Sequence, residues 1–316
     1  MKNDFSIPPY FHTSIPRILV TGANGMLAQD LCPTLQDNGY DVIETDINTL
    51  DITNFDMIQE VLRHEKPDIV IHCAAYTNVD KAEDDIETAE LINVKGTENI
   101  AEVCSEIDAV MVYISTDYVF DGNKKEPYLP TDTPNPQNVY GRTKLEGELA
   151  VQKYCKKFYI ARTSWLYGRH GKNFVETMIA LAGARGAFVE KDPKHYEGDV
   201  GAQEQSSSTT GAFKPIKVVD DQIGCPTWTM ELSDGIVKLL EGMPFGIYHI
   251  CGSGRTSWYG FAKEIFKLAG LNVNLLPCTT DEFPRKAKRP KYSVMENNKI
   301  CRNWKSALRD YLELRD

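Results

Sequence analysis

Tyr140 and Lys144 are side chains of complementary acid–base character, four residues apart in the segment Asn138-Val-Tyr-Gly-Arg-Thr-Lys144. On a helix this spacing places both on one face. A free phenol, with a pKa of about 10, is a poor acid–base catalyst at neutral pH. A neighbouring ammonium stabilises the phenolate and lowers that pKa toward the working range. The pair is therefore typical of a proton donor to a carbonyl oxygen.

Thr116 completes a candidate catalytic set. It follows the strand-like run Val110-Met-Val-Tyr-Ile-Ser115 and can donate a hydrogen bond to a carbonyl oxygen on which charge develops. A loop with several prolines separates it from Tyr140. Proline resists helix interiors, so we expect the helix of Tyr140 to begin after Pro136, with Asn138 as its N-cap.

A second pair of the same spacing, Tyr259 and Lys263, shows that the pattern by itself has little specificity. In a chain with 15 tyrosines such a pair is expected by chance. Tyr259 lies in the amphipathic run Trp258-Tyr-Gly-Phe-Ala-Lys-Glu-Ile-Phe266, and no apolar strand ending in Ser or Thr comes just before it. This pattern is typical of core packing.

The elements that must position these residues alternate along residues 17–162 between short β-branched runs and segments with apolar residues at helical spacing. Such alternation predicts right-handed crossovers and a parallel sheet covered by helices on both faces. We therefore predict an α/β fold of the Rossmann-like, doubly wound class, with ligands beyond the carboxyl ends of the strands. The predicted strands are Arg17–Thr21, Asp41–Thr45, Asp68–His72, Val110–Ser115 and Phe158–Arg162.

A glycine turn follows the first predicted strand in the segment Ile18-Leu-Val-Thr-Gly-Ala-Asn-Gly-Met-Leu-Ala28. Gly22 lets the chain turn sharply, Gly25 lets backbone N–H groups approach a pyrophosphate, and Ala28 permits close packing of helix on strand. The positive end of the helix favours the phosphate charge. In this position the turn predicts a dinucleotide site. We assign to it Gly22, Asn24, Gly25, Met26 and Leu27.

Asp46 ends the second predicted strand, 21 residues after Gly25, where an acidic side chain can bind the hydroxyls of the adenosine ribose. A carboxylate there would repel a 2′-phosphate, which modestly favours NADH over NADPH. Asp51 and Ile52 follow closely and are candidates to flank the adenine. Both cofactors therefore stay open.

After residue 163 the alternation becomes irregular, which predicts a smaller α+β lobe against the first domain. We assign residues 17–165 to an NAD(P)-binding Rossmann-like domain, 166–316 mainly to a substrate-binding lobe, and 1–16 to an N-terminal extension. Residues 183–214, rich in Gly, Ser, Thr and charge, are expected to form a flexible insertion or to serve a function. Beyond residue 163 we predict helices at Asn173–Leu181, Glu231–Leu240, Trp258–Leu268 and Arg302–Leu312, and a strand at Ile216–Val219.

Composition argues against several classes of function. A formal net charge of −10 disfavours general affinity for nucleic acid or an anionic membrane. No apolar run approaches the roughly 20 residues of a membrane span. The eight cysteines are scattered without a CxxC pair, so we expect no metal site, reduced thiols and a cytoplasmic protein. The basic run Arg285-Lys-Ala-Lys-Arg289 is interpreted equally well as a solvated loop or as a seat for a substrate phosphate.

Five segments are more specific than the glycine turn or the Tyr/Lys pair. They are His72-Cys-Ala-Ala-Tyr-Thr-Asn-Val-Asp-Lys-Ala-Glu83, Ser115-Thr-Asp-Tyr-Val-Phe120, Arg162-Thr-Ser-Trp-Leu-Tyr167, Val219-Asp-Asp-Gln-Ile-Gly-Cys-Pro-Thr227 and Arg289-Pro290. By these segments the chain resembles the extended short-chain dehydrogenase/reductase superfamily, and within it the family of dTDP-4-dehydrorhamnose reductases. The resemblance runs from about residue 17 to residue 314.

The resemblance implies an NADPH- or NADH-dependent enzyme that reduces the C4 keto group of dTDP-4-dehydro-6-deoxy-L-mannose to dTDP-L-rhamnose, in nucleotide-sugar and cell-surface polysaccharide biosynthesis. It implies a triad of Thr116, Tyr140 and Lys144, in which Lys144 also binds the nicotinamide ribose. The further cofactor contacts that it implies are Ala74, Ala75, Tyr76, Asn93 and Ser115. The nucleotide-sugar contacts are Val79, Thr116, Tyr118, Trp165, Gln222 and Arg289, with a core aromatic as the alternative for Trp165. Some relatives bind Mg²⁺ through carboxylates in dimer formation; the sequence places no such site and leaves a homodimer open.

Three other functions share part of this pattern. A sugar-nucleotide 4,6-dehydratase carries an Asp-Glu pair after the Thr, whereas here Asp117 is followed by Tyr118, so the eliminating base is missing. A 4-epimerase is not excluded by the triad, but the motifs of the second lobe favour the reductase. A non-catalytic regulatory subunit resembling the methionine adenosyltransferase β subunit is disfavoured by the intact triad.

The position of Asp46 predicts a modest preference for NADH. Values of kcat/KM measured with NADH and with NADPH under identical conditions test this prediction. A large preference for NADPH would mean that Asp46 points away from the ribose.

Overall fold

A computed structural model of the chain describes residues 15–184, 215–297 and 299–315. Residues 1–14 of the expected N-terminal extension and residues 185–214 of the expected insertion lie outside the described residues. Gly183 and Ala184, the first two residues assigned to that insertion, instead complete a helix.

The helices and strands follow one another closely along the chain. The helices are α1 (Met26–Asp37), α2 (Phe55–Glu65), α3 (Val79–Ala82), α4 (Ile86–Glu90), α5 (Thr97–Glu106), α6 (Val139–Tyr154), α7 (Phe174–Ala184), α8 (Thr229–Leu240), α9 (Trp258–Leu268) and α10 (Trp304–Glu313). The strands are β1 (Arg17–Thr21), β2 (Asp41–Thr45), β3 (Ile69–His72), β4 (Val110–Thr116), β5 (Phe158–Thr163), β6 (Leu166–Tyr167), β7 (Ile216–Val219), β8 (Ile223–Gly224), β9 (Thr227–Trp228), β10 (Gly246–His249), β11 (Thr256–Ser257) and β12 (Leu275–Cys278). A π-helical segment, Leu91–Gly96, joins α4 to α5, and a 3₁₀ turn, Asp117–Val119, follows β4.

Six parallel strands form the central sheet in the order β2-β1-β3-β4-β5-β10. β1 pairs with both β2 and β3, so the direction in which strands are added reverses between β1 and β3. In a doubly wound fold such a reversal opens a crevice beyond the carboxyl ends of the strands. The predicted α/β class and the five predicted strands are confirmed.

The strands of this sheet are buried on both faces. Ile18 and Val20 of β1 join a core with α1 and α8, whereas Leu19 joins the core formed with α2, α5 and α6. All three side chains are fully buried. Successive residues of a strand point to opposite faces, so a sheet covered on both sides requires a continuous apolar run.

Two elements from the second half of the chain belong to the central sheet and the helices that cover it. β10 pairs in parallel with β5, with Gly246 opposite Tyr159, and becomes the sixth strand. The fully buried Leu232, Ile236 and Leu240 of α8 join the same core as α1. The chain thus returns to the sheet long after β5, which the sequence analysis did not predict.

The other elements of the second half pack around an aromatic core. α7, α9 and α10 enclose buried rings of Tyr167, Trp228, Phe261, Trp304 and Tyr311. β7 pairs in parallel with β12, and β8 pairs antiparallel with β11. The mixture of helices and short strands agrees with the α+β lobe expected from the sequence.

The described residues contain no membrane-crossing helix, no metal cluster and no disulfide. None of the described helices is long and apolar enough to cross a membrane. The described residues hold no group of three or more His, Cys, Asp or Glu side chains arranged for a metal ion. All eight cysteines are free, and Cys73 alone among them is not fully buried.

A buried ion pair fixes α6 to the sheet. Arg162 of β5 and Glu148 of α6 are 1% and 0% exposed, and Nε and Nη2 of Arg162 donate to the two carboxylate oxygens at 2.8 and 2.6 Å. Ser115 of β4 also donates to Glu148, at 2.5 Å. The two charges tolerate burial because each is paired bidentately and hydrogen-bonded.

We expect Arg162→Met to lower the free energy of unfolding by about 3–5 kcal/mol, because Glu148 would keep a buried charge without its partner. Equilibrium urea unfolding measures this loss. Arg63→Met is the matched control, since Arg63 and Glu106 form an exposed pair whose loss should cost less than about 1 kcal/mol. Equal losses in the two variants would contradict the role given to the buried pair.

Candidate active site

The glycine turn connects β1 to α1 at the carboxyl edge of the sheet. Gly22 has a φ of +67°, and a Cβ at this residue would come within 2.8 Å of the Ala74 backbone. The N–H of Gly25 donates to the carbonyl of Gly22 at 2.9 Å. No side chain caps the first turn of α1, which begins with Met26 and the buried Leu27. The N–H groups at this helix start can therefore receive an anion such as a pyrophosphate.

Asp46 follows β2 and contacts the glycine turn. Its Oδ2 accepts a hydrogen bond from Asn24 at 2.6 Å, and its Oδ1 accepts one from the backbone of Asn48 at 2.9 Å. These donors, first the Asn48 backbone, hold the pKa of Asp46 below its usual range. An ionised carboxylate therefore lies where the ribose contact was predicted.

Asp51 and Ile52 lie in the segment before α2. Asp51 Oδ1 accepts hydrogen bonds from the backbone and the hydroxyl of Thr53, at 2.9 and 2.7 Å. The buried Ile52 fills space beside Gly96, where a Cβ would approach it to 2.7 Å. Both side chains are engaged by neighbouring protein groups, and their contact with adenine stays a prediction.

Asn93, in the π-helical segment, holds the loop that follows β3. Its Oδ1 accepts from the backbone N–H of Tyr76 at 2.8 Å, and its Nδ2 donates to the carbonyl of Tyr76 at 3.1 Å and to Thr143 at 3.0 Å. Both amide hydrogens are therefore used within the protein. Asn93 thus braces the segment of Ala74, Ala75 and Tyr76 against α6, and its contact with the cofactor stays a prediction.

Ser115 is also engaged in the interior. Its hydroxyl hydrogen is directed to Glu148 in the buried ion pair, and the contact of Ser115 with the cofactor stays a prediction. Because side chains alternate along β4, Ser115 and Thr116 point to opposite faces of the sheet.

The three predicted catalytic residues lie at the end of β4 and in the first turns of α6. The side chain of Asn138 accepts from the N–H of Gly141 at 2.7 Å and caps α6 as predicted. Thr116 is 5% exposed, and its hydroxyl donates to Asp117 at 3.1 Å while accepting from the N–H of Tyr118 at 3.2 Å. The Thr116 hydroxyl also lies close enough to the Tyr140 phenol to influence its pKa.

Burial dominates the protonation of Tyr140 and Lys144. It raises the pKa of Tyr140 to about 12, against the opposing hydrogen bond with Thr116. It lowers the pKa of Lys144 to about 7, against the favourable charge of Glu148. Lys144 Nζ lies 4.0 Å from the centre of the Tyr113 ring. The pKa of Tyr140 therefore lies above its ordinary value and not below it as expected, because loss of water disfavours the phenolate.

Three residues predicted to contact the sugar nucleotide come from separate segments and lie near Tyr140. The ring of Tyr118 is edge-on to that of Tyr140, with centres 5.6 Å apart. Arg289 pairs with Asp80 in α3, the helix that Val79 begins, and its charge interacts with Tyr118. The fold thus brings the end of β4, α3 and the segment near residue 289 together.

Trp165 is held flat by its neighbours. Its ring stacks on Trp258 with centres 3.6 Å apart and planes at 6°. A Cβ at Gly224 would come within 2.5 Å of the same ring, so only glycine leaves it this space. Trp165 also has a φ of +47°, a region that bulky residues rarely adopt outside functional sites. Trp165 is half-buried and packs against the aromatic core of the second half, and its contact with the sugar nucleotide stays a prediction.

Gln222 and the basic run are both tied to the protein. Gln222 is 7% exposed, and its amide donates to Thr280 at 3.0 Å. In the basic run, Lys286 pairs with Asp84 and Lys288 donates to Gln137 at 3.1 Å. Arg285, Lys286 and Lys288 are exposed, which agrees with the interpretation as a solvated loop, and a role for the run in binding a substrate phosphate stays a prediction.

The carboxyl edge of the sheet fits a nicotinamide dinucleotide. A Cβ at Gly22 would overlap the Ala74 backbone, so glycine permits the close approach of the turn to the segment after β3, and the uncapped start of α1 follows this turn. Asp46, the glycine turn, Ala74 and Thr116 follow four neighbouring strands in the order β2, β1, β3 and β4. Three strand spacings cover roughly 15 Å, which suits an extended dinucleotide lying across them.

The doubly wound sheet, the glycine turn and the Thr-Tyr-Lys set together define an extended short-chain dehydrogenase/reductase. Within that class, the chain belongs to the family described as the RmlD substrate binding domain, whose profile matches residues 16–191 and 207–314.

Proteins of this family resemble the chain over nearly its whole length. The Bacillus subtilis spore coat polysaccharide biosynthesis protein SpsK is 38% identical and covers 95% of this chain and 98% of its own. The dTDP-4-dehydrorhamnose reductase of Escherichia coli K12 is 35% identical, covering 93% of this chain and 94% of its own. The crystal structure of the Bacillus anthracis dTDP-4-dehydrorhamnose reductase in complex with NADP is 39% identical, covers 95% of this chain and 99% of its own, and superposes with a TM-score of 0.84.

Sequence reasoning missed several residues that shape the site. Glu148 and Arg162 hold α6, Asp80 holds Arg289, and Trp258 supports Trp165. A signal existed for the first two, because Glu148 lies one turn beyond Lys144 in α6 and Arg162 is a charge in an otherwise apolar strand. The contacts of Asp80 and Trp258 join distant segments and leave no local pattern.

We expect Lys144→Met to change how stability depends on pH. The folded-state pKa of about 7 lies below the ordinary value of 10.5, so the unfolded chain binds the additional proton between these values. The free energy of unfolding must therefore increase as the pH is raised from about 7 to 10.5 and decrease as the pH is lowered over the same range. Urea unfolding of both proteins across the window should show that the unmodified chain gains stability relative to the variant. Parallel pH profiles would contradict the buried lysine.

Proposed function

We propose that the chain reduces the C4 keto group of dTDP-4-dehydro-6-deoxy-L-mannose to dTDP-L-rhamnose, with NADPH or NADH as the reductant. The observation that carries the proposal is the placement of Thr116, Tyr140 and Lys144 on the edge of the sheet that holds the dinucleotide turn. Family membership supports the substrate class. Relatives from Escherichia coli and Aggregatibacter actinomycetemcomitans, 35% and 36% identical, carry the name dTDP-4-dehydrorhamnose reductase.

Tyr140 supplies the proton in this reaction. A bound nicotinamide provides the hydride that C4 receives. The phenol remains protonated at neutral pH because burial raises its pKa to about 12. An alkoxide at C4 is more basic still, since an alcohol is about as weak an acid as water, whose pKa is about 15.7. Transfer of the proton from Tyr140 to the substrate oxygen is therefore favourable.

Lys144 and Thr116 assist the proton transfer: Lys144 acts on the phenol that loses the proton, and Thr116 acts on the C4 oxygen that receives it. A phenolate left on Tyr140 favours the protonated form of Lys144, whose charge then stabilises it. Thr116 donates its hydroxyl hydrogen to Asp117 in the structure. It contacts the C4 oxygen once this hydroxyl rotates, and until then it fixes the position of Tyr140.

Tyr118 supports reduction without elimination. It stands where a dehydratase carries its glutamate, and its ring packs edge-on against Tyr140. Burial raises the pKa of the Tyr118 phenol, which therefore stays protonated and does not supply the base that elimination needs. Its backbone N–H meanwhile fixes the hydroxyl of Thr116.

Several further features belong to the proposal. The charge of Asp46 favours NADH, whereas the Bacillus anthracis relative was solved in complex with NADP. The proposal therefore includes both cofactors. A cytoplasmic location is supported by eight free cysteines. Formation of a homodimer is also part of the proposal, and no residues are assigned to a Mg²⁺ site.

We expect Tyr140→Phe to lower kcat by roughly 10²–10⁴-fold with little change in NADPH affinity, because the variant lacks the proton donor alone. The assay follows NADPH oxidation with dTDP-4-dehydro-6-deoxy-L-mannose, and fluorescence titration gives the cofactor affinity. Tyr259→Phe is the matched control, since Tyr259 packs in the lobe core and should keep near-normal turnover. Near-normal turnover in Tyr140→Phe would refute the assignment.

A further inference from the structure

The carboxylate of Asp80 collects donors from the basic run Arg285–Arg289. Arg289 binds it through both terminal nitrogens, Nη1 to Oδ1 and Nη2 to Oδ2, the latter at 2.8 Å. The backbone N–H of Ala287 donates to Oδ1 at 3.2 Å, and Arg285 Nη1 lies 3.9 Å from Oδ2. One side chain thus fixes three positions of a five-residue segment.

These contacts join two parts of the chain that are 209 residues apart. Asp80 lies in α3, in the loop region that follows β3 and carries the predicted cofactor contacts. The basic run belongs to the second half of the chain. The side chain of Arg289 is 16% exposed and Ala287 is 2% exposed, so the contact is largely withdrawn from water.

The bidentate pair also determines which donors of Arg289 remain. Of the five guanidinium N–H donors, two are used by Asp80 and one by the carbonyl of Ala287 at 2.7 Å. The charge of Arg289 also interacts with Tyr118, whose ring lies edge-on to that of Tyr140. Asp80 therefore sets the orientation of a cation that is linked to the ring next to the proton donor.

We propose that Asp80 is a positioning residue for the nucleotide sugar: it holds Arg289 in the orientation that binds the anionic part of the substrate. The inference rests on the proposed function and extends it to a residue that does not itself contact the substrate. A guanidinium held by a bidentate carboxylate loses little further side-chain freedom on binding, because its plane is already fixed.

The neighbouring pair of Asp84 and Lys286 provides a matched control. It joins the same α3 region to the same basic run, but its side chains are 56% and 59% exposed. Such an exposed pair contributes little to position or stability. Asp84→Asn makes the same change in charge as Asp80→Asn within the same contact.

The experiment compares the unmodified chain with Asp80→Asn, Asp80→Glu and Asp84→Asn. We expect Asp80→Asn to raise KM for the dTDP-4-keto sugar by roughly tenfold or more, with kcat within about twofold and unchanged Kd for NADPH. Asp80→Glu should recover part of the loss, and Asp84→Asn should behave like the unmodified chain. Titration with dTDP alone should show the same order of affinities.

Two other outcomes in Asp80→Asn would contradict the inference. A KM that falls in Asp80→Asn would mean that the carboxylate competes with the substrate for Arg289. Weaker NADPH binding, or a kcat that drops together with the change in KM, would mean that Asp80 supports the fold in general. Absence of turnover in the unmodified chain would instead refute the proposed function, and the dTDP titration would still test Asp80 in that case.

Discussion

The buried ion pair between Glu148 and Arg162 is the constraint on which the site depends. It ties the helix of Tyr140 and Lys144 to β5, while Ser115 ties the same carboxylate to β4. A charge with this little exposure keeps its partner in place, because separation would leave it unpaired in a medium of low dielectric. The register of α6 on the sheet, and with it the position of the proton donor, follows from this contact.

Close approach of α6 to its neighbours requires small residues as well as charge. Gly141 lies against the carbonyl of Tyr118, and Gly147 lies against the Tyr113 hydroxyl, where a Cβ would overlap in both cases. The same close packing buries Lys144 and leaves Tyr140 only partly exposed. Desolvation then sets their pKa values in opposite directions, keeping the phenol protonated and making the lysine easy to deprotonate.

Local patterns in the sequence were sufficient for the fold of the first half and for the elements that carry Thr116, Tyr140 and Lys144. The strands were recognisable because a sheet buried on both faces requires continuous apolar runs, and Asn138 was recognisable as a cap because prolines precede it. Glycine at residues 22 and 25 pointed to the cofactor turn for the same reason of local geometry. These features depend on neighbours in sequence.

The parts that the sequence did not predict depend on contacts between distant segments. The return of β10 and α8 to the sheet, the pairing of Asp80 with Arg289 and the support of Trp165 by Trp258 all join residues far apart in the chain. The pKa of Tyr140 could not be foreseen either, since the Tyr/Lys spacing says nothing of how deeply α6 is buried. Asn93 and Ser115 were assigned to the cofactor, whereas burial commits their hydrogens to protein partners.

The central claim is that the chain carries out a net reduction at C4. Its most direct test is the stoichiometry of the reaction: dTDP-4-dehydro-6-deoxy-L-mannose and NADPH are incubated with the enzyme, and the sugar product and the oxidised cofactor are quantified together. The account predicts equal amounts of dTDP-L-rhamnose and NADP⁺ at every time point. A sugar product formed without matching oxidation of the cofactor would contradict it, because an epimerase returns the hydride that a reductase consumes.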